Sequence, residues 1–189
     1  TNARSLPLAG GDKKGVATLR SIADVDAIRE GMKTSSNIAI IGAGYIGLEV
    51  AAVAKAMGKS VSVIETQDRP MKRVVSHAVS DYFTRLHRDR GIDLRLETGV
   101  EGLEGEEAVA GVRLQSGELV PAELVLIAVG AEPNDQIAAE AGLEADNGVP
   151  VVGYGPTRDP AFYALGDCTR CYSNQHHRRV HMYRVHTAI

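Results

Sequence analysis

The sequence predicts an α/β fold, a parallel sheet with helical crossovers that also carries an antiparallel β-meander. Three observations predict it. Asn37–Glu65 reads as strand, glycine turn, helix, turn, strand. Ile38–Ile41 and Leu124–Val129 are continuous apolar runs, as parallel strands covered on both faces require. Between them, Val100–Val120 breaks into short segments punctuated by glycines, with Ser116-Gly117 as a good hairpin turn.

Taken in order, Thr1–Gly15 holds three glycines and one proline and reads as a linker. Ser21–Met32 is expected as a helix. Ser21 and Asp24 make a capping-box start, and Ile22, Val25 and Ile28 are its expected apolar face. Thr34–Asn37 turns into the central strand. Gly42, Gly44 and Gly47 then follow in the spacing G-x-G-x-x-G. The first permits a tight turn, the second lets a pyrophosphate approach the backbone, and the third lets the helix pack close on the sheet. The helix offers its free N–H groups and the positive end of its dipole to the phosphates. It runs through Ala51, Ala54 and Met57 to Gly58, a C′ residue, and Ser60–Ile64 returns as a strand.

Glu65 closes that strand about 20 residues after the glycines, which completes a dinucleotide fingerprint and makes the fold Rossmann-like. A carboxylate there accepts the adenosine ribose hydroxyls and repels a 2′-phosphate, so NAD(H) is favoured over NADP(H). In the loop that follows, Arg69 and Arg73 are the cations. Each is either a solvated charge or a clamp on the adenosine side.

Ser76–Arg90 is expected as a helix with Val79, Phe83 and Leu86 on one face, stopped by Gly91. His77 and His87 within it do not share a face, which argues against a metal pair. Ile92–Leu96 alternates as a strand. Glu101, Glu104, Glu106 and Glu107 read as a solvated face rather than catalytic acids. Asp135–Ala141 is a short helix, and the remainder is rich in turns around Ala164-Leu165-Gly166-Asp167.

Composition bounds the function. The 189 residues give room for one domain and part of another, 44% hydrophobic content supports a packed core, and a net charge of −3 gives no general affinity for nucleic acid or anionic membrane. No apolar run approaches the ~20 residues that span a bilayer. The opening residues lack the basic and apolar regions of a signal peptide, so a cytoplasmic address is expected. Two cysteines are too few for a disulfide framework. Cys168-x-x-Cys171 is open to three readings: two unpaired thiols, a metal site with His176, His177, His181 and His186, or a redox pair.

Four features occur in order: the glycine turn with Glu49 and Glu65, the meander, Ala128-Val129-Gly130 with Pro133-Asn134, and Tyr163-Ala164-Leu165-Gly166-Asp167. Together they resemble the FAD-dependent pyridine nucleotide-disulphide oxidoreductases, within them the ferredoxin, rubredoxin and putidaredoxin reductase group. The resemblance implies an enzyme roughly twice this length. Residues 1–15 would be a remnant of its FAD domain, 16–130 its NAD-binding domain, and 131–189 an incomplete return segment to the FAD domain. It implies NAD and FAD as cofactors, electrons passing from NADH through FAD to a ferredoxin- or rubredoxin-type acceptor, and no catalytic proton-transfer side chain or metal.

By the same resemblance Gly42, Gly44 and Gly47 form the pyrophosphate turn, with Ile46 in the same cofactor-binding stretch. Tyr45 and Glu49 lie beside the nicotinamide, Glu65 binds the ribose, and Arg73 covers the adenine side. Gly130 makes a backbone contact to NAD, and Asp167 bonds the flavin ribityl chain. Tyr183-Arg184-Val185 departs from the Glu-Ser-Val usual in the group. Two rival functions remain at this stage, a non-catalytic nucleotide-binding module and a disulfide or peroxide reductase.

Overall fold

A computed structural model describes residues 1–152, 155–173 and 178–181. The chain divides into two compact units, one of residues 3–130 and one of residues 1–2 and 131–189.

The larger unit has three layers. Its central sheet is built from β1 (Val16–Thr18), β2 (Asn37–Ile41), β3 (Ser60–Ile64), β4 (Asp93–Arg95) and, late in the chain, Leu124–Ile127. The three intervening segments Val100–Glu104, Gly111–Leu114 and Leu119–Pro121 are β5, β6 and β7, which makes Leu124–Ile127 strand β8. The sheet order is β1-β8-β2-β3-β4, and every pairing is parallel. Helices α1 (Ile22–Thr34), α2 (Tyr45–Ala56) and α3 (His77–Asp89) connect the early strands.

The apolar runs separate by period two. Ile38, Ile40, Leu124 and Leu126 join the helix-side core with Leu48, Ala51 and Ala54. Their neighbours Ala39, Ile41, Val125 and Ile127 join a second core with Leu103, Val112, Leu114 and Val120 of the meander. Both faces of β2 and β8 are therefore covered, which is why neither strand shows alternation in sequence. Fully burying one such side chain stabilises the fold by about 1.5–3 kcal/mol. The meander β5-β6-β7 is antiparallel, with a register break between Val100 and Gly102. Glu101, Glu104, Glu106 and Glu107 are exposed on it.

Helix ends follow the expected chemistry. Ser21 and Asp24 form a reciprocal capping box on α1. Gly58 and Gly91 take positive φ just past the ends of α2 and α3. Two expected faces need correction. On α1, Ile28 and Met32 are buried, while Ile22 is 82% exposed. At about 100° per residue, Ile22 lies about 120° round the helix from Ile28. On α3 the buried residues are Ser80 and His87, with Phe83 half-buried and Val79 exposed. Polar groups can occupy that face because each finds an acceptor there, Ser80 at Pro70 O and His87 at the carbonyl of Phe83 or Leu48, according to which ring nitrogen carries the proton.

Of residues 1–15, expected as a linker, the part from Leu6 to Lys14 lies along the meander. Leu6 and Leu8 pack on its core, and Ala9 and Lys14 bridge to Gly102 and Ala108. Glu123 clamps the entry to β2, accepting the N–H groups of Ser36 at 2.9 Å and Asn37 at 2.7 Å.

The smaller unit holds α4 (Gln136–Glu140) and a sheet of β9 (Val149–Val151), β10 (Thr169–Ser173) and β11 (Arg178–His181). β9 pairs parallel with β10, and β10 pairs antiparallel with β11. Pro150 is tolerated because β9 is an edge strand. Ala161–Leu165, whose apolar run resembles a strand, is instead a turn region with an isolated bridge from Tyr163 to Pro156.

Candidate functional site

The site is built at the C-terminal ends of β2 and β3, where an open parallel sheet places its ligands. Gly42 leaves β2 at φ +107°, and its N–H donates to Ile64 O at 2.8 Å. A Cβ on Gly42 would meet Ala128 O at 2.5 Å, so only glycine passes between the strand ends there. A Cβ on Gly47 would press on the Gly42 carbonyl. Around Gly44 a Cβ would meet nothing within 4 Å. Gly44 is the N-cap of α2 and offers no side-chain cap, so the opening N–H groups of the helix face an approachable space.

Glu65 faces this turn. One carboxylate oxygen accepts the Ala43 N–H at 2.8 Å, and the other accepts the Gln67 N–H at 2.9 Å and the Thr66 hydroxyl at 3.3 Å. The backbone thus fixes both oxygens and leaves each a lone pair that a ligand hydroxyl can reach, displacing Thr66 where needed. Ala43 also accepts the Met71 N–H at 2.9 Å, so the loop after Glu65 is tied to the glycine turn. Sequence reasoning did not single out Ala43 or Met71. The buried Met71, at φ +52°, has no glycine to mark it.

The other expected residues are distributed as follows. Tyr45 and Ile46 open α2 and are 55% and 46% exposed, and Glu49 is exposed one turn later. Tyr45 and Glu49 border a mostly apolar groove of about 360 Å³ between α2 and α3, lined also by Leu48, Phe83 and Leu86. Arg73 is exposed. Arg69 is half-buried, and its guanidinium donates to the Val75 and Lys72 carbonyls and to the Ser80 hydroxyl. On the same loop Asp68 is held below its ordinary pKa, first by its hydrogen bond to Lys72. Gly130 is exposed at φ +114°, and its carbonyl accepts the Arg4 N–H at 2.9 Å.

Asp167 belongs to the smaller unit, half-buried in the 3₁₀ turn Gly166–Cys168, where it accepts the Thr1 hydroxyl at 3.4 Å. Cys168 and Cys171 are both free thiols. Among the described residues no group of three or more His, Cys, Asp or Glu could hold a metal ion. His176, His177, His186 and the stretch Tyr183–Val185 lie outside the described residues, as does the side chain of His181. Among the described residues, no helix is long and apolar enough to cross a membrane.

The family model described as pyridine nucleotide-disulphide oxidoreductase matches residues 1–189. The chain belongs to this family. It is 40% identical to rhodocoxin reductase of Rhodococcus erythropolis over 166 residues, covering 87% of this chain and 39% of the relative. It is 35% identical to rubredoxin-NAD(+) reductase of Ectopseudomonas oleovorans over 189 residues, covering 100% of this chain and 49% of the relative. The crystal structure of a ferredoxin reductase from Rhodopseudomonas palustris superposes with a TM-score of 0.94 at 34% identity, over 99% of this chain and 46% of that one. The chain therefore spans half or less of the relatives it matches.

Proposed function

We propose that this chain is the NADH-binding domain of an FAD-dependent reductase that delivers electrons to a ferredoxin- or rubredoxin-type acceptor. The observation that carries this reading is Glu65, fixed by the Ala43 N–H at 2.8 Å beside an uncapped glycine turn. Family membership and the names of the reductase relatives support the remainder.

In this reading the pyrophosphate rests against Gly42, Gly44 and Gly47 and the first N–H groups of α2, which also carry Ile46. Glu65 receives the adenosine ribose, and Arg73 lies over the adenine side. Tyr45 and Glu49 border the nicotinamide, and Gly130 offers its backbone to NAD. FAD, when bound, accepts hydride and releases electrons singly. The protein's part is to bind and orient, so no side chain need move a proton in the hydride step.

The residues present fit the two cofactors unequally. For NAD the open space at Gly44 and the fixed carboxylate of Glu65 support a cradle for the pyrophosphate and the adenosine ribose. For FAD the chain contributes Asp167 to a ribityl hydroxyl, while the single G-x-G-x-x-G is already used by NAD. We read residues 131–189 as the flavin-side segment. The chain alone is then a nucleotide-binding module without turnover, and the whole enzyme is cytoplasmic.

Calorimetric titration tests the reading. NADH should bind, and NADPH should bind at least about tenfold more weakly, because its 2′-phosphate would face the Glu65 charge. Glu65→Ala should narrow that gap. Equal or reversed affinities in the unaltered chain contradict the assignment.

A further inference from the structure

Arg69 holds the loop that follows Glu65 in one conformation. One guanidinium nitrogen donates to Val75 O at 3.1 Å and to Ser80 Oγ at 2.7 Å, and the other donates to Lys72 O at 3.0 Å. The two carbonyls bracket Arg73 and Val74, which are both exposed. Ser80, with no exposed surface, donates in turn to Pro70 O at 2.7 Å and so anchors the same loop to α3. Next to Pro70, Met71 is buried in the left-handed region, a conformation that a non-glycine residue keeps only where its surroundings enforce it. Its N–H reaches Ala43 O, inside the glycine turn. A chain of bonds therefore runs from α3 through Ser80, Arg69 and the loop backbone to the turn and to Glu65.

Only a guanidinium can make these contacts together. Its planar fork spreads donors over two terminal nitrogens in fixed directions, whereas a lysine ammonium carries its three donors on a single nitrogen at the end of a flexible stem. All the acceptors named are uncharged protein groups, so the bonds turn the guanidinium toward the protein.

We propose that Arg69, supported by Ser80, is a positioning residue for the adenosine half of the dinucleotide, acting through the presentation of Arg73 and not by touching the nucleotide. This rests on the reading of the site as an NADH site in which Arg73 covers the adenine side. It assigns the two loop arginines different tasks, Arg73 as the contact and Arg69 as the brace.

A double-mutant cycle tests it on the 189-residue chain. ADP-ribose affinity is measured by calorimetry for the unaltered chain, Arg69→Lys, Arg73→Ala and the double variant. Arg69→Lys should weaken ADP-ribose about tenfold although the charge is kept. In the Arg73→Ala background the same substitution should cost almost nothing, because the group it positions is gone. Ser80→Ala, which leaves both carbonyl bonds of Arg69 in place, should cost about threefold and show the same dependence on Arg73. It also serves if Arg69→Lys does not fold. Equal costs in both backgrounds, or unchanged affinity in Arg69→Lys and Ser80→Ala, overturn the proposal while leaving the NADH assignment intact. Failure of the unaltered chain to bind ADP-ribose overturns both.

Discussion

The two units of this chain differ in how they hold themselves together. Among the described residues, every buried apolar side chain belongs to the larger unit except Val149, Pro150 and Val151. There the strands β2 and β8 are covered on both faces, and two cores share one sheet. The smaller unit instead leaves Val152, Tyr163, Leu165 and Tyr172 more than half exposed. Its interior polar groups Thr157 and Thr169 are tied by local hydrogen bonds to Asp159 O and Gly166 O. The larger unit has what an independent nucleotide-binding domain needs, whereas the smaller one is organised by turns and a short sheet. The proposed site follows the same division: the glycine turn, Glu65 and Arg73 all sit on the densely packed unit, where rigid strand ends can hold a ligand cradle to a fixed geometry.

The strongest way to break this contrast is to empty the larger core. Leu126→Ala should cost about 2–5 kcal/mol in a denaturant melt, from lost burial and an unfilled cavity. Leu165→Ala, at an exposed position, should stay within about 0.5 kcal/mol. Comparable costs at the two sites would show that the smaller unit has a core of equal weight.

Gly47→Leu should come next, read as binding. Its added Cβ must displace the Gly42 carbonyl, so the turn and the helix start move apart. NADH affinity should fall about 100-fold, the scale of a misplacement of about 1 Å. Retained affinity would mean that the cradle tolerates what its packing forbids.

At the helix ends effects are smaller. Ser21→Ala removes the side-chain half of the capping box on α1 and should cost about 1 kcal/mol, checked by urea unfolding.

The smallest effect expected is one of pH. Backbone and side-chain bonds from Asn37 hold Glu123 below the ordinary glutamate pKa, assisted by the Ser36 N–H. A carboxylate lowered on folding contributes stability above its unfolded pKa and loses it as pH falls through the folded value. Glu123→Gln should therefore lower the neutral plateau of the stability curve of the larger unit and flatten its acid limb, the two curves converging at low pH. An acid limb unchanged by the substitution would show that the clamp at the start of β2 does not titrate with folding.

How much of this was legible in the sequence depended on whether the signal was local. The dinucleotide fingerprint was, because its three glycines sit together in one strand-turn-helix step and Glu65 closes the next strand, which pairs with β2, although the Ala128 carbonyl that excludes a side chain at Gly42 comes from far along the chain. The family resemblance and the parallel sheet with its meander were legible for the same reason, as continuous apolar runs and glycine-punctuated turns. The buried face of α3 was not. Ser80 and His87 look like surface residues until the partners that satisfy them, Pro70 and Leu48, are brought close by the fold. Ile22 misled in the opposite sense, since an apolar residue in the first turn of α1 suggested a face that the sheet does not cover. Only the family resemblance distinguishes Arg73 from Arg69 in sequence, and the carbonyls of Lys72 and Val75 with the Ser80 hydroxyl, which hold Arg69, become visible only in the fold. Ala161–Leu165 has the composition of a strand but bends back on Asp159, whose carboxylate accepts the Ala161 N–H and whose carbonyl accepts the Phe162 N–H.

The proposed function gives this chain the dinucleotide site of Gly42, Gly44, Gly47 and Glu65 and only part of a flavin site, at Asp167. The most direct measurement is to incubate the chain with NADH and FAD together, separate free ligand by gel filtration, and record the absorbance spectrum of the protein peak. The account predicts stoichiometric NADH and no flavin band. Losing the pyrophosphate contacts of FAD removes several charge-assisted hydrogen bonds worth about 1.5–3 kcal/mol each. A yellow protein carrying flavin in stoichiometric amount, with little or no NADH retained, would contradict it.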